Sequence, residues 1–146
     1  MKWVADTNAL SELRKPSPDV GVVRWFADTP SEYIFTTSVN LAEIRFGIEV
    51  QKDPARAKLL ETWLERTIRP MFAERVLDAD EAAIVAWRFM SVRAQKAGRP
   101  APSVDLLIAA IASVNTCAVV TRDAAPFAAA GVPVFNPWTN ERFHLG

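Results

Sequence analysis

The chain has 146 residues, half of them hydrophobic, 10% aromatic and 23% charged, which suits one soluble globular domain with a sizeable core. Seventeen lysines and arginines balance seventeen aspartates and glutamates, so wholesale electrostatic capture of nucleic acid is excluded, because such binders carry surplus cations. A single cysteine and a single histidine exclude a disulfide framework, a zinc finger, a multi-histidine metal site and a His–Cys hydrolase.

Residues 2–5 (KWVA) are predicted to form a short strand ending at Asp6. A helix over 7–14 is stopped by Pro16 and Pro18, and Asp19 caps a second one running to about Phe26. The run YIFT at 33–36 reads as strand and 38–51 as helix. Asp53-Pro54 starts a helix that continues to about Ile68, where Pro70 ends it. A very short strand over 75–77 precedes a helix over 80–97, with Ile84, Trp87 and Met90 spaced by three and Gly98 at its end. After the rigid loop GRPAP at 98–102, Ser103 caps a helix to about Asn115. Strands over 117–121 and 132–135 complete the chain, and no repeat, low-complexity stretch or linker divides residues 1–146. Strands alternating with helices predict an α/β fold in three layers, a parallel sheet between helices. Its ligand site belongs at the carboxyl ends of the strands.

Only Trp3, Val4 and Ala5 separate the charged Lys2 from Asp6, so no secretory hydrophobic core is expected. The uncharged run 106–121 is 16 residues, short of the ~20 that a membrane span needs. The expectation is a cytoplasmic protein, away from membranes, with Cys117 reduced and inert.

Four acids stand out. Asp6 comes directly after the first strand and Asp123 follows the strand over 117–121, at equivalent ends. Glu43 lies in a helix whose Leu41, Ile44, Phe46, Ile48 and Val50 make it apolar nearly all round, so burial is expected. Asp105 is the only charge in VDLLIAAIASV at 104–114 and sits in the first helical turn. Singly, each has an ordinary role open to it, as a helix cap, a dipole partner, a turn residue or the mate of a buried arginine. Together they do not, because carboxylates ~5 Å apart repel by roughly 3 kcal/mol per pair at an effective dielectric of 20. A Mg²⁺ or Mn²⁺ ion would resolve that repulsion, since hard cations take oxygen ligands.

The ordered set VADTN at 4–8, AEIRFG at 42–47, SVDLLIAA at 103–110 and VTRD at 120–123 resembles a PIN domain, specifically a VapC-type or FitB-type toxin of a type II toxin–antitoxin pair. The resemblance spans essentially the whole chain. It implies one domain with about five parallel strands and a metal-dependent ribonuclease pocket built from Asp6, Glu43, Asp105 and Asp123. Thr7 and Asn8 match the family pattern after the first acid, and Thr121 matches the threonine near the fourth. Asn40, three residues before Glu43, stands where relatives commonly carry threonine.

On this reading Asp6 and Asp105 ligate the principal ion directly or through water. Glu43 and Asp123 complete the charge balance, orient waters or hold a second ion. Metal-activated water then attacks the phosphorus in line and leaves a 5′-phosphate and a 3′-hydroxyl. Arg14, Lys15, Arg99 and Arg122 flank the acids and are candidates for holding RNA phosphates. The lone His144 is far in sequence from the acids, which argues against histidine acid–base cleavage. The resemblance further implies a homodimer, a cognate antitoxin of VapB or FitA type, and DNA contact only through that antitoxin. Trp25 and Phe26 are candidates for an antitoxin groove. A dehalogenase-type phosphotransferase needs a second aspartate at the position of Asn8, and a receiver domain places its acceptor acid later in the sheet. The rival that survives is a catalytically weak PIN module acting mainly as antitoxin-binding and co-repressor partner.

Overall fold

The computed structural model describes residues 1–145. Six short strands are formed, the first five where uncharged or β-branched residues cluster: β1 (Lys2–Ala5), β2 (Ile34–Thr37), β3 (Val76–Leu77), β4 (Cys117–Val120), β5 (Val134–Asn136) and β6 (Glu141–Phe143). They make one sheet in the order β3-β2-β1-β4-β5-β6. The first five are parallel to their neighbours, and β6 runs antiparallel to β5. Side chains alternate across the sheet, as period two requires. Val4, Val119 and Val134 enter one core, while Ala5, Val120 and Phe135 enter the other.

Helices α1 (Thr7–Glu12), α2 (Val20–Asp28), α3 (Ser38–Glu49), α4 (Pro54–Trp63), α5 (Arg69–Met71), α6 (Glu81–Lys96), α7 (Ser103–Val114) and α8 (Ala124–Ala129) connect the strands. Met90 of α6, Ile108 and Ala109 of α7 and Phe127 of α8 fill the first core; Leu10 of α1, Trp25 of α2 and Ile44 of α3 fill the second. β1 therefore lies between β2 and β4, where the chain switches the direction in which it adds strands. The carboxyl ends of β1 and β4 border the crevice that such a switch opens.

Several local expectations change. Against the five-stranded parallel sheet expected, β6 is added at the edge by a turn in which the Asn140 N–H donates to the Asn136 carbonyl at 2.8 Å. α1 ends at Glu12, two residues early, and the cap before α7 is Pro102, with Ser103 the first helical residue. The segment after Asp123, to which no element was assigned, forms α8. α4 passes through a π-helical turn at Leu64–Ile68 into α5, so Pro70 lies within helix instead of ending it. The largest correction concerns α3, which is not buried. It packs through Asn40 and Ile44, whereas Phe46 is 68% and Val50 55% exposed, so Glu43 rides on the outward stripe.

Candidate active site

Asp6 caps α1, its Oδ1 accepting from the Thr7 N–H at 2.9 Å. The same oxygen accepts from Asn40 Nδ2 at 2.9 Å, and Oδ2 accepts from the Thr121 hydroxyl at 2.7 Å. Asp6 is only 6% exposed. Capping alone explains one of these three bonds; the other two reach it from α3 and from the end of β4.

Asn40 is fully buried, and its amide orientation follows from its neighbours. The Thr37 hydroxyl donates to Asn40 Oδ1 at 2.6 Å, which leaves Nδ2 to donate to Asp6 and, at 3.1 Å, to the Thr7 hydroxyl. Thr37 caps α3 by accepting from the Asn40 N–H at 3.1 Å. Thr121 relays a second line of bonds: its hydroxyl accepts from the Asp123 N–H at 3.1 Å and from Asn8 Nδ2 at 3.0 Å. Asn8 Oδ1 accepts from the Arg122 N–H at 3.1 Å, and Asn8 Nδ2 approaches Asp123 Oδ2 at 3.4 Å. The loop carrying Asp123 is also held from β5, where Asn136 Nδ2 donates to the Arg122 carbonyl at 3.3 Å. The Oδ1 of Asn136 accepts from the Trp138 N–H at 2.9 Å.

The acids act on one another. Burial raises the Asp6 pKa above the ordinary carboxylate value, with hydrogen bonds from Thr121, Thr7 and Asn40 opposing and the charge of Asp123 adding. Desolvation also raises Glu43, reinforced by Asp6 and Asp105, and raises Asp105, reinforced by Asp6 and Asp123. Asp6, Glu43 and Asp105 therefore each feel the charge of at least one other acid of the set. Among the described residues, no ion pair involves any of the four. Nor do three His, Cys, Asp or Glu side chains stand closely enough together to enclose an ion. The arrangement is a shared anionic field without a closed cage. Its oxygen donors and uncompensated charge suit a hard divalent cation.

The candidate phosphate-binding cations divide. Arg99 and Arg122 line an open groove of about 980 Å³ together with Asp105 and Asp123. Arg14 lies over the Trp63 ring at 5.5 Å, as Arg122 does over Trp138, but it does not line that groove. Lys15 pairs with Glu12 at 2.8 Å. Glu12 was not singled out in the sequence, yet it is buried and accepts from the Asp19 N–H at 2.8 Å. Bonds from Lys15 and Asp19 hold its carboxyl below the ordinary value, with the charge of Arg122 contributing. Its only sequence signal is the spacing of three to Lys15. Trp25 is a core residue, 9% exposed and edge-on to Trp3 at 5.6 Å. Phe26 does line an apolar cleft of about 170 Å³ with Leu13, Ile34 and Met71.

The structure thus presents a parallel sheet with an acid at the carboxyl end of its central strand, hydrogen-bonded across to the neighbouring strand end and within electrostatic reach of Glu43, Asp105 and Asp123. The PIN domain model matches residues 4–132, and the chain belongs to this family. It is 37% identical over 133 residues to the plasmid stability protein StbB of Pseudomonas syringae pv. tomato, covering 91% of this chain and 96% of that one. It is 35% identical over 133 residues to toxin FitB of Neisseria gonorrhoeae, with the same coverage of 91% and 96%. It is 35% identical over 135 residues to the VapC ribonuclease Y4jK of Sinorhizobium fredii, covering 92% and 96%. Among solved structures it superposes on FitAcB from Neisseria gonorrhoeae with a TM-score of 0.87 at 34% identity, covering 93% of this chain and 98% of that one. A FitAB structure bound to the IR36 DNA fragment gives 0.86 at 33% identity, covering 93% and 95%.

Proposed function

We propose that this PIN-domain chain is the toxin of a toxin–antitoxin pair and hydrolyses RNA with a divalent cation, Mg²⁺ or Mn²⁺, held by its acidic crevice. The observation that carries this reading is Asp6: an almost fully buried carboxylate, held by three donors, in the field of other acids and paired with no cation. A structural cap has no need of that company. The names of the relatives, a toxin and a VapC ribonuclease, support the class.

Asp6 and Asp105 would hold the principal ion, directly or through water, with Glu43 and Asp123 balancing its charge or contributing to a second ion. When bound, the cation supplies water activation and charge stabilisation at the phosphate. The chain's own groups do the positioning. Thr121, Thr7 and Asn40 fix the Asp6 oxygens, while Asn8 and Asn136 fix the loop that carries Arg122 and Asp123. Arg99 and Arg122 would hold RNA phosphates in the groove they line with Asp105 and Asp123. The partner is an antitoxin, by analogy with the FitAB complexes the chain superposes on, and a homodimer belongs to the same reading, as the family resemblance implies. No described helix is long and apolar enough to cross a membrane.

The second reading, a module that mainly binds antitoxin and assists repression, draws on the DNA-bound FitAB complex and on the absence of a closed cage among the described residues. One experiment separates the two. The chain is expressed without antitoxin and RNA 5′ ends are sequenced, with Asp6→Asn as control. New 5′ ends and growth arrest that both vanish in Asp6→Asn support the nuclease; arrest that persists in the variant assigns toxicity to binding.

A further inference from the structure

The groove beside Asp105 and Asp123 continues past the acids into a smaller cleft of about 240 Å³ between α6, α7 and α8, with Arg99, Pro126 and Ala129 lining both. Its walls are apolar, formed in part by Met90, Ala94 and Leu106. Met90 and Leu106 are 5% and 3% exposed, so the cleft has a packed floor. Arg93 and Arg99 stand at its edge, and among the described residues neither enters an ion pair.

The backbone that presents Arg99 is set by helix termination. Gly98 takes a φ of +68°, its N–H donates to the Gln95 carbonyl at 3.0 Å, and the Arg99 N–H donates to the Ala94 carbonyl at 2.9 Å. That pair of bonds is the Schellman closure, and it needs a residue tolerant of the left-handed region at position 98. Trp87 Nε1 donates to the Ser103 carbonyl at 3.1 Å and ties α6 to the start of α7. The loop between the two cavities is thus anchored at both ends.

We propose that this cleft is a base-recognition subsite, receiving one nucleobase of a single-stranded RNA whose phosphate lies at the acids, with Arg93 and Arg99 holding the adjoining backbone. The proposal rests on the nuclease reading above and extends it to sequence preference. Size favours a single ring system, since drug-sized ligands occupy pockets of about 300 Å³ and upward. Charge favours a phosphate-bearing ligand, because guanidinium groups without carboxylate partners match phosphate geometry and stack on bases. A partner helix, by contrast, needs a groove long enough for anchors over two turns. This cleft accepts one group.

The test uses short random-sequence single-stranded RNAs with Mg²⁺, comparing the wild-type chain with Ala97→Phe, which fills the cleft, and Arg93→Gln, which removes an exposed cation without touching the core. Fragment ends from the wild type are expected to show a base preference at one position flanking the cut. Ala97→Phe should abolish that preference, and both variants should raise KM about tenfold while kcat changes much less. Unchanged preference and KM in both variants overturn the proposal while leaving the nuclease reading intact. Unchanged RNA cleavage with weakened antitoxin binding also overturns it, giving the cleft to a protein side chain. Failure of the wild type to cut any RNA removes the parent reading, and this one with it.

Discussion

Asn40 was visible in the sequence only as a departure from the threonine of relatives, and its role is geometric. A threonine offers one hydroxyl, whereas the Asn40 amide donates to Asp6 and Thr7 together while Thr37 holds its carbonyl. Asn40→Leu should leave a buried Asp6 oxygen short of a donor, destabilising the fold by about 1–3 kcal/mol and reducing Mn²⁺ affinity roughly 10–100-fold. Thermal melts and Mn²⁺ titration by calorimetry check both; an unchanged affinity removes Asn40 from the site. Asp6 and Asp105 stood out because charge at a strand end or in an apolar helix is costly without a reason, whereas Glu43 was singled out on a burial that α3 does not have. The bonds of Asp6 to Asn40 and Thr121 were not legible, because these partners lie 34 and 115 residues away along the chain.

Protonation belongs at this scale too. Asp6, Glu43 and Asp105 all have folded pKa values raised above the ordinary range. Raised acids favour the folded state when protonated, so their contribution is fully present below the ordinary carboxylate range and is lost as pH rises through the folded values. Glu12 runs the opposite way, stabilising above that range and losing its contribution as pH falls through its lowered value. In EDTA near pH 7, Asp105→Asn is therefore expected to melt above the wild type, with the gap closing toward pH 4. Mn²⁺ at about a hundred times its Kd should raise the wild-type Tm by roughly 5–10 °C and the double variant Asp6→Asn/Asp105→Asn hardly at all. Equal shifts in both would place the bound ion elsewhere.

Among the elements, those driven by apolar pattern and strong caps were readable, and those driven by tertiary contact were not. Asp53-Pro54, Asp19 and Asp80 all cap helices, as their residue types require. β6 reads as polar chain because Glu141 and Arg142 are exposed, and only pairing with β5 makes it a strand. α3 misled because apolar residues occur on both of its faces; the sheet and α7 take one, and Phe46 and Val50 stay outside. α2 carries a further constraint, since a Cβ at Gly21 would run into the Pro137 carbonyl oxygen. Gly21→Ala should cost about 1–3 kcal/mol, as overpacking does, measurable as a lower urea midpoint, whereas Gly47→Ala, which meets nothing within 4 Å, should not destabilise the protein.

At the scale of the whole molecule, one sheet separates two apolar cores while its central strand ends in the site, so stability and chemistry are largely separable. Asp6→Asn should keep the native circular dichroism while losing divalent-cation-dependent RNA cleavage; cleavage at the wild-type rate would exclude Asp6 from catalysis. The parallel order was legible from alternation of strand and helix, and the crevice from the rule for such sheets. The partition of the arginines was not, because Arg14 and Lys15 are engaged by Trp63 and Glu12, contacts that depend on how α1 packs.

Asn136 spans two territories: one end of its amide grips the carbonyl beside the fourth acid, and the other organises the bend leading into the edge strand. On the nuclease reading, the hairpin of β5 and β6 would act as a latch on the site, because it holds the loop that carries Asp123. A protease that clips the bend near Asn140, or a bulky fusion appended beyond it, should slacken Asp123 and blunt toxicity while most of the molecule stays folded. Limited digestion followed by an RNA-cutting assay would reveal whether the latch and the blade fail together.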